Sequence, residues 1–323
     1  MNIKRLMTGL VCTFVISTLF LIPGSQPVQA AYPEKPISFI VPFGAGGGVD
    51  GMARALAARL EKALNVPVVV KNERGSGGRK GSIALYKSKP DGYTIGFAHF
   101  ATLLYDDTLG KKKSPIAYKN YEVILKADRT VFFIYVNAKT SFKTLADLKN
   151  AGRPIKFGSS GVGSPSWLVP EATRAELGFP ITFVAGYKNL AEVALAVARG
   201  DVDAATGTYT HIQGVLSDLR PLVYMADQKS YKLPEVPTIQ QAGYPKLAAL
   251  DVPWVVVAPP GTPAAQQGVL RKALLKIVNS EEFMSWAKEA GYNPDPMEPD
   301  AFWKSLQLKR DIYEALKTQL PTK

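Results

Sequence analysis

The chain has 323 residues, 46% of them hydrophobic, and a formal net charge of +12 at pH 7. This is length enough for two domains of ordinary size and apolar content enough for buried cores, and it excludes a disordered or fibrous chain. The single cysteine, Cys12, lies in the first thirty residues, which bears on what chemistry remains.

Those thirty residues differ from the rest. Asn2, Lys4 and Arg5 form a short basic start. Leu10 to Ile22 is an apolar run, and Pro23-Gly24-Ser25 leads to the small-residue end Val28-Gln29-Ala30-Ala31. The pattern predicts a secretory signal peptide cleaved after Ala30. A membrane anchor is the alternative, but the run is short for a span of roughly 20 residues. Lipidation at Cys12 would need a small residue where Val11 stands. Cleavage removes Lys4 and Arg5 and no acid, which leaves +10. It also removes Cys12, so disulfides, thiolate chemistry and cysteine metal sites are excluded from the mature chain. No other segment is long and apolar enough to span a bilayer, so a soluble, exported protein is expected.

From Pro36 onward strand-like and helix-like segments alternate. Ile37–Val41 reads as a strand and Asp50–Leu64 as a helix, with apolar residues at Ala53, Leu56, Ala57, Leu60 and Leu64. Val66–Lys71, a helix over Ser82–Ser88 and the strand Tyr93–Phe97 complete a βαβαβ order, which predicts a mostly parallel sheet covered on both faces. Lys111-Lys112-Lys113 has no aromatic neighbours and reads as a solvated loop.

A second cycle opens with the apolar strand Val131–Val136. Thr144-Leu145-Ala146-Asp147 is a capping-box start for a short helix. Ile155–Phe157 is a strand, followed by a helix ending near Gly178. Ile181–Val184, a helix over Asn189–Arg199 with Gly200 just past its end, Val202–Thr206 and Leu222–Met225 complete a second small sheet. The last part begins with the strand Trp254–Ala258. Two helices follow, entered through Thr262-Pro263 and Ser280, and a final helix spans 300–317. The extended segments Val131–Val136 and Asp251–Val257 read as crossovers. The expected organisation is a first domain of 31–133 with 254–323 and a second of 134–253, with two sequential domains as the alternative.

Two glycine-rich turns stand out. Pro42-Phe43-Gly44-Ala45-Gly46-Gly47-Gly48-Val49-Asp50 follows a strand and opens a helix. Glycines let the backbone approach a ligand, and the helix start offers unpaired N–H groups with partial positive charge, so an anion can bind without a cationic side chain. Asp50 is the expected N-cap. One register, Gly46-x-Gly48-x-x-Gly51, fits a dinucleotide fingerprint, but no acid follows near Val68–Lys71 for a ribose. The second turn, Gly158-Ser159-Ser160-Gly161-Val162-Gly163-Ser164-Pro165-Ser166, adds hydroxyl donors. A plain strand-to-helix turn would explain either one; two, one per sheet, predict opposed helix starts facing a shared cleft at the carboxyl ends of the strands. Arg74-Gly75-Ser76-Gly77-Gly78-Arg79-Lys80-Gly81 reads as a further lining of that mouth or as a surface turn.

These turns occur in order with Asn72-Glu73-Arg74-Gly75-x-Gly77-Gly78, Pro90-Asp91-Gly92-Tyr93-Thr94, Gly200-Asp201-Val202-Asp203, Pro234-Glu235-Val236-Pro237-Thr238, Ala242-Gly243-Tyr244-Pro245 and Ala258-Pro259-Pro260-Gly261-Thr262-Pro263. The set resembles the Bug-type solute receptors of tripartite tricarboxylate transporters over nearly the whole mature chain. The resemblance implies an α/β fold of the type II periplasmic binding-protein class, two α/β domains with a hinged cleft. It implies a small carboxylate ligand (di- or tricarboxylate, aromatic carboxylate or amino acid), a periplasmic location and a membrane permease as partner. It also implies that the turns 42–50 and 158–166 hold a carboxylate, often with bridging water. This chain departs from the family pattern at Trp167, where histidine is common, at Pro170 early in the same helix, and at Tyr187-Lys188-Asn189 in place of a Tyr-x-Gly turn. The expected ligand-binding positions are Phe43, Gly46, Gly47, Gly48, Val49, Asp50, His99, Ser159, Ser160, Gly161, Gly163, Ser164, Ser166, Trp167, Tyr187, Thr208 and Tyr209.

No catalytic residue, cofactor or metal is expected. The mature chain has two histidines, His99 and His211, and Gly161-Val162-Gly163-Ser164-Pro165 misses a nucleophile elbow. Export and the scattered cations argue against nucleic acid; a positive field instead speeds encounter with small anions. A monomer is expected. A sensing module that presents the same pocket to a signalling partner is the competing role, and a hydrolase the remote one.

Overall fold

The computed structural model describes residues 32–110 and 114–317. The expected signal peptide, with Ala30 and Cys12, and the run Lys111-Lys112-Lys113 lie outside them.

In chain order the regular elements are β1 (Ile37–Val41), α1 (Gly48–Leu64), β2 (Val68–Asn72), α2 (Arg79–Tyr86), β3 (Thr94–Ala98), α3 (Phe100–Thr108), β4 (Glu122–Thr130), β5 (Phe133–Asn137), α4 (Leu145–Lys149), β6 (Ile155–Ser159), α5 (Pro165–Leu177), β7 (Ile181–Ala185), α6 (Leu190–Arg199), β8 (Ala204–Gly207), α7 (Tyr209–Ile212), β9 (Leu219–Tyr224), β10 (Val252–Ala258), α8 (Ala264–Val278), α9 (Glu281–Glu289), β11 (Pro294–Met297) and α10 (Pro299–Leu316). Short 3-10 segments of three to six residues fall between some of them.

Two sheets result. The first has the order β11-β4-β10-β3-β1-β2 and the second β7-β6-β8-β5-β9. Both are mixed rather than mostly parallel. β1 runs parallel to β2 and β3, but β10 is antiparallel to both β3 and β4. In the second sheet β6 is parallel to β7 and β8, while β5 is antiparallel to β8 and β9. The antiparallel insertions come from strands that return from the other sheet: the chain leaves the first sheet at Thr130, enters the second at Phe133, and comes back at Val252. The apolar stretch expected as one strand over Val131–Val136 is therefore a short passage followed by β5.

β10 is buried along its whole length because it lies between two neighbours and carries Trp254, Val255, Val256 and Val257. Its indole Nε1 of Trp254 donates to Thr130 Oγ1. α1 covers the first sheet through Met52, Ala53, Leu56, Ala57 and Leu60, all at helical spacing and all buried. It ends where Asn65 takes a left-handed conformation. The local caps follow the sequence. Thr144 and Asp147 close a capping box, Ser280 Oγ accepts the N–H of Phe283, and Gly200 ends α6 with φ of 83°. Pro263, without a side-chain cap from Thr262, precedes α8. Pro170 neither delays nor interrupts α5, which starts at Pro165 and runs through it.

Candidate functional site

Segments that follow β1 and β3 in the first sheet approach segments that follow β6 and β8 in the second. A Cβ placed on Gly48 would lie 3.3 Å from Thr210 Oγ1, and one on Gly163 would lie 2.7 Å from the ring of Tyr105. The ring of Tyr105 also meets that of Trp167 at a centroid distance of 5.7 Å. Each glycine-rich turn thus touches an element packed on the opposite sheet.

The first turn ends at Gly47, which takes the N-cap position in extended conformation with no side-chain bond. Asp50 is therefore not the cap. It sits in the first turn of the helix and reaches back: Oδ2 accepts from the Gly46 N–H and from Arg54 Nε, both at 2.9 Å, and Oδ1 accepts from Asn72 Nδ2 at 2.9 Å. Asn72 also donates to the carbonyl of Phe43 at 3.0 Å. Burial would raise the Asp50 carboxyl, but the bond from Arg54, with those from Gly46 and Asn72, outweighs it and holds the group below the usual range. The consequence for binding is specific. The Gly46 N–H is occupied within the protein, which leaves those of Gly47, Gly48, Val49 and Asp50 at a helix start as donors. Gly46 itself needs glycine because its φ is +81°, whereas at Gly47 an added Cβ meets only the Gly44 carbonyl oxygen at 3.8 Å. Tyr292, which sequence reasoning missed, donates its hydroxyl to the Gly48 carbonyl at 2.7 Å.

Phe43 lies behind this turn. Its ring is edge-on to His99 at 5.1 Å and to Trp254 at 5.9 Å, and His99 stacks on Trp254 at 5.5 Å. His99 is buried, its Nδ1 lies 3.1 Å from the Gly77 carbonyl oxygen and 2.6 Å from Thr102 Oγ1. Burial pushes its imidazole down to about 4, against the bond to Gly77. His99 is thus packed beneath the 76–78 turn and precedes α3, rather than presenting its ring to an open space. That turn leads into Arg79, whose Nε donates to Asp106 Oδ2 at 2.7 Å while a second guanidinium nitrogen reaches Oδ1. The cation of Arg79 is committed to Asp106; Arg74, by contrast, is exposed with its Cδ 3.9 Å from where Gly44 would carry a Cβ.

The second turn is a knot of serines. Ser166 Oγ accepts from the Ser160 N–H at 3.0 Å and lies 3.3, 3.0 and 3.0 Å from the hydroxyls of Ser159, Ser160 and Ser164. Ser159 Oγ accepts from the Gly161 N–H at 3.1 Å, and Ser164 donates to the Gly161 carbonyl at 2.6 Å. Ser159, Ser164 and Ser166 are buried, and Ser160 is the exposed member. The hydroxyls predicted as ligand donors therefore mostly shape the turn. Gly161 and Gly163 have φ of +135° and +77°, conformations that favour glycine.

Trp167, half-buried, bridges Tyr105 and Phe183, the latter at 5.9 Å. Tyr187 lies at the end of the β6 layer, near Gly158. Thr208 caps α7, with Oγ1 2.7 Å from Thr210 Oγ1 and 2.6 Å from His211 Nδ1. Tyr209 packs on Gly291. Thr210 and Tyr105 escaped the sequence reading because only the fold brings them to Gly48 and Gly163.

Residues 52–315 match the model of a family described as tripartite tricarboxylate transporter family receptor. The chain belongs to that family. Protein BugT of Bordetella pertussis (strain Tohama I) is 30% identical over 93% of this chain and 92% of its own. Among solved structures, one described as a periplasmic transporter is 26% identical with a TM-score of 0.80, covering 90% of this chain and 98% of its own. The periplasmic binding protein BugD is 25% identical with a TM-score of 0.76, covering 89% and 98%. The fold is that of the type II periplasmic binding proteins, and the family's members are solute receptors of transporters. Among the described residues no helix is long and apolar enough to cross a membrane, and no group of acidic, histidine or cysteine side chains could hold a metal ion.

Proposed function

We propose that this receptor captures a small organic carboxylate on the N–H groups of Gly47 to Asp50, under the opposing turn of Ser159 to Ser166, and passes it unchanged to a membrane permease. The observation that carries the reading is the start of α1. A glycine N-cap with no side-chain bond leaves the amides uncovered, while Asp50 is held by Arg54, Gly46 and Asn72 and so does not fill the site itself. A helix start contributes roughly 0.3–1 kcal/mol toward an anion, about 2 when partly buried, and charge-assisted hydrogen bonds add to it.

The passages at Val131–Phe132 and before Val252 are the hinge about which 134–253 turns against the rest of the mature chain. Ligand contacts on both sides favour the closed form. Phe43 and His99 support the first turn, Ser160 is the exposed hydroxyl of the second, and Trp167, Tyr187, Thr208 and Tyr209 contact the remainder of the ligand. The protein is exported with cleavage after Ala30, works as a monomer and carries out no chemistry on its cargo.

A thermal-shift screen of the purified mature protein against di- and tricarboxylates, aromatic carboxylates and amino acids tests this. A ligand that binds only the native state raises the melting temperature with concentration. A screen in which no carboxylate does so, or in which the responding acid is consumed, contradicts the reading.

A further inference from the structure

We infer that Lys232 is a specificity-determining residue that reads a second negative charge on the ligand, so that the receptor selects dicarboxylates over monocarboxylates of the same length. The inference rests on the carboxylate reading above and adds to it the class of acid.

The donors at the start of α1 are neutral amides. They recognise one carboxylate and are indifferent to what the other end of the molecule carries. Discrimination of a second charge needs a cation, and most near the site are already engaged. Arg79 is held by Asp106, Arg54 by Asp50, and Arg129 by Asp227 and Asp295.

Lys232 differs. It lines a small hollow with Thr208, Tyr209, Tyr231, Tyr292 and Asn293. Tyr292 is the residue whose hydroxyl holds the Gly48 carbonyl, so one side chain joins this hollow to the first turn of α1. The Lys232 ammonium lies 5.7 Å from the centroid of the Tyr209 ring. Its backbone is fixed by buried Ser230, whose Oγ accepts the N–H groups of Lys232 and Leu233 at 3.2 and 3.3 Å. From the other side Lys288 lies over the Tyr231 ring at 5.1 Å. Among the described residues neither lysine has a carboxylate within ion-pair distance. Lys232 lines the hollow itself and Lys288 lies over Tyr231, which also lines it; Lys232 is half-buried, which favours a counter-charge there. The hollow measures about 10 Å³, room for one water. The distal carboxylate therefore sits at its rim, beside Tyr209 and exposed Tyr231, rather than inside.

The test is calorimetric titration of the mature protein with straight-chain dicarboxylates of three to eight carbons and with the monocarboxylates of equal length. The wild type should bind at least one diacid about tenfold or more tighter than its monoacid. Lys232→Gln should lose about tenfold for that diacid and change little for the monoacid, with an unchanged melting temperature. Equal affinity for both classes, no diacid binding, or an unaffected Lys232→Gln overturns the inference. So does a loss on Arg74→Gln in place of Lys232→Gln, which would put the second charge beside Gly44. Gly47→Val separates this from the underlying reading: if it abolishes binding while Lys232→Gln does not weaken the diacid, the carboxylate site stands and the role of Lys232 falls.

Discussion

The ring of Tyr105 stands edge-on to the indole of Trp167, with centroids 5.7 Å apart and planes at 82°. Tyr105 belongs to α3, beside the first sheet, and Trp167 to α5, beside the second. Tyr105 also occupies the space a side chain at Gly163 would need. This pair joins the two halves of the fold at the mouth of the candidate site. Aromatic pairs add about 0.5–1.5 kcal/mol beyond burial. Trp167→Ala should therefore weaken ligand affinity roughly two- to tenfold by disfavouring the closed form, with Trp167→Phe close to wild type. Calorimetry on both variants checks this, and unchanged affinity in Trp167→Ala removes the pair from the closing mechanism.

Asp50 supplies a pH-dependent prediction. Its folded carboxyl titrates below the usual range, so its stabilising effect is present above the unfolded value, about 3.9, and is lost as pH falls through the folded value. Asp50→Asn should lower the melting temperature by several degrees at pH 7, because it loses the charged partner of Arg54. The gap to wild type should shrink as the pH drops below about 4. A gap that stays constant down to pH 2 contradicts this. Thermal denaturation across pH measures it.

Asp128 should behave in the opposite sense. Burial pushes its carboxyl up to about 7, against the N–H of Asn293, which donates to Oδ1 at 2.8 Å. With the folded value above the unfolded one, the protonated acid stabilises the fold at low pH, and that contribution is lost as pH rises through about 7. Asp128→Asn keeps an acceptor for Asn293 and removes the charge. Relative to wild type it should gain stability on going from pH 4 to pH 8. A difference that does not change over that range would show that Asp128 is ionised throughout.

Much of the candidate site was legible because its signals are local. Glycines between a strand and an amphipathic helix mark the turn at 42–50, and Thr144, Ser280 and Gly200 act where short-range cap chemistry puts them. Asp50 shows the limit. Its residue type suggested a cap, but the glycine before the helix takes that position and Asp50 works from inside the first turn.

The elements that escaped have long-range causes. In α3, Phe100, Ala101, Thr102, Leu103 and Leu104 are all buried, so no helical period shows. β4 carries Lys126 and Asp128 in its buried part, which breaks the apolar pattern of a strand, and their partners Asp295 and Asn293 come from far along the chain. β11 holds two prolines in four residues and pairs with β4 at an edge. The place of the serines of 159–166 in a strand-to-helix turn is legible, but their mutual hydrogen bonds depend on a backbone path that the sequence does not reveal.

The amides at the start of α1 carry the functional reading, and Gly47 tests them most directly. A Cβ there meets nothing closer than the Gly44 carbonyl at 3.8 Å, in a backbone conformation open to any residue. Gly47→Val should fold and melt like wild type, yet bind the best carboxylate from the screen at least a hundredfold more weakly by calorimetry. Wild-type affinity in a normally folded Gly47→Val protein would contradict the account.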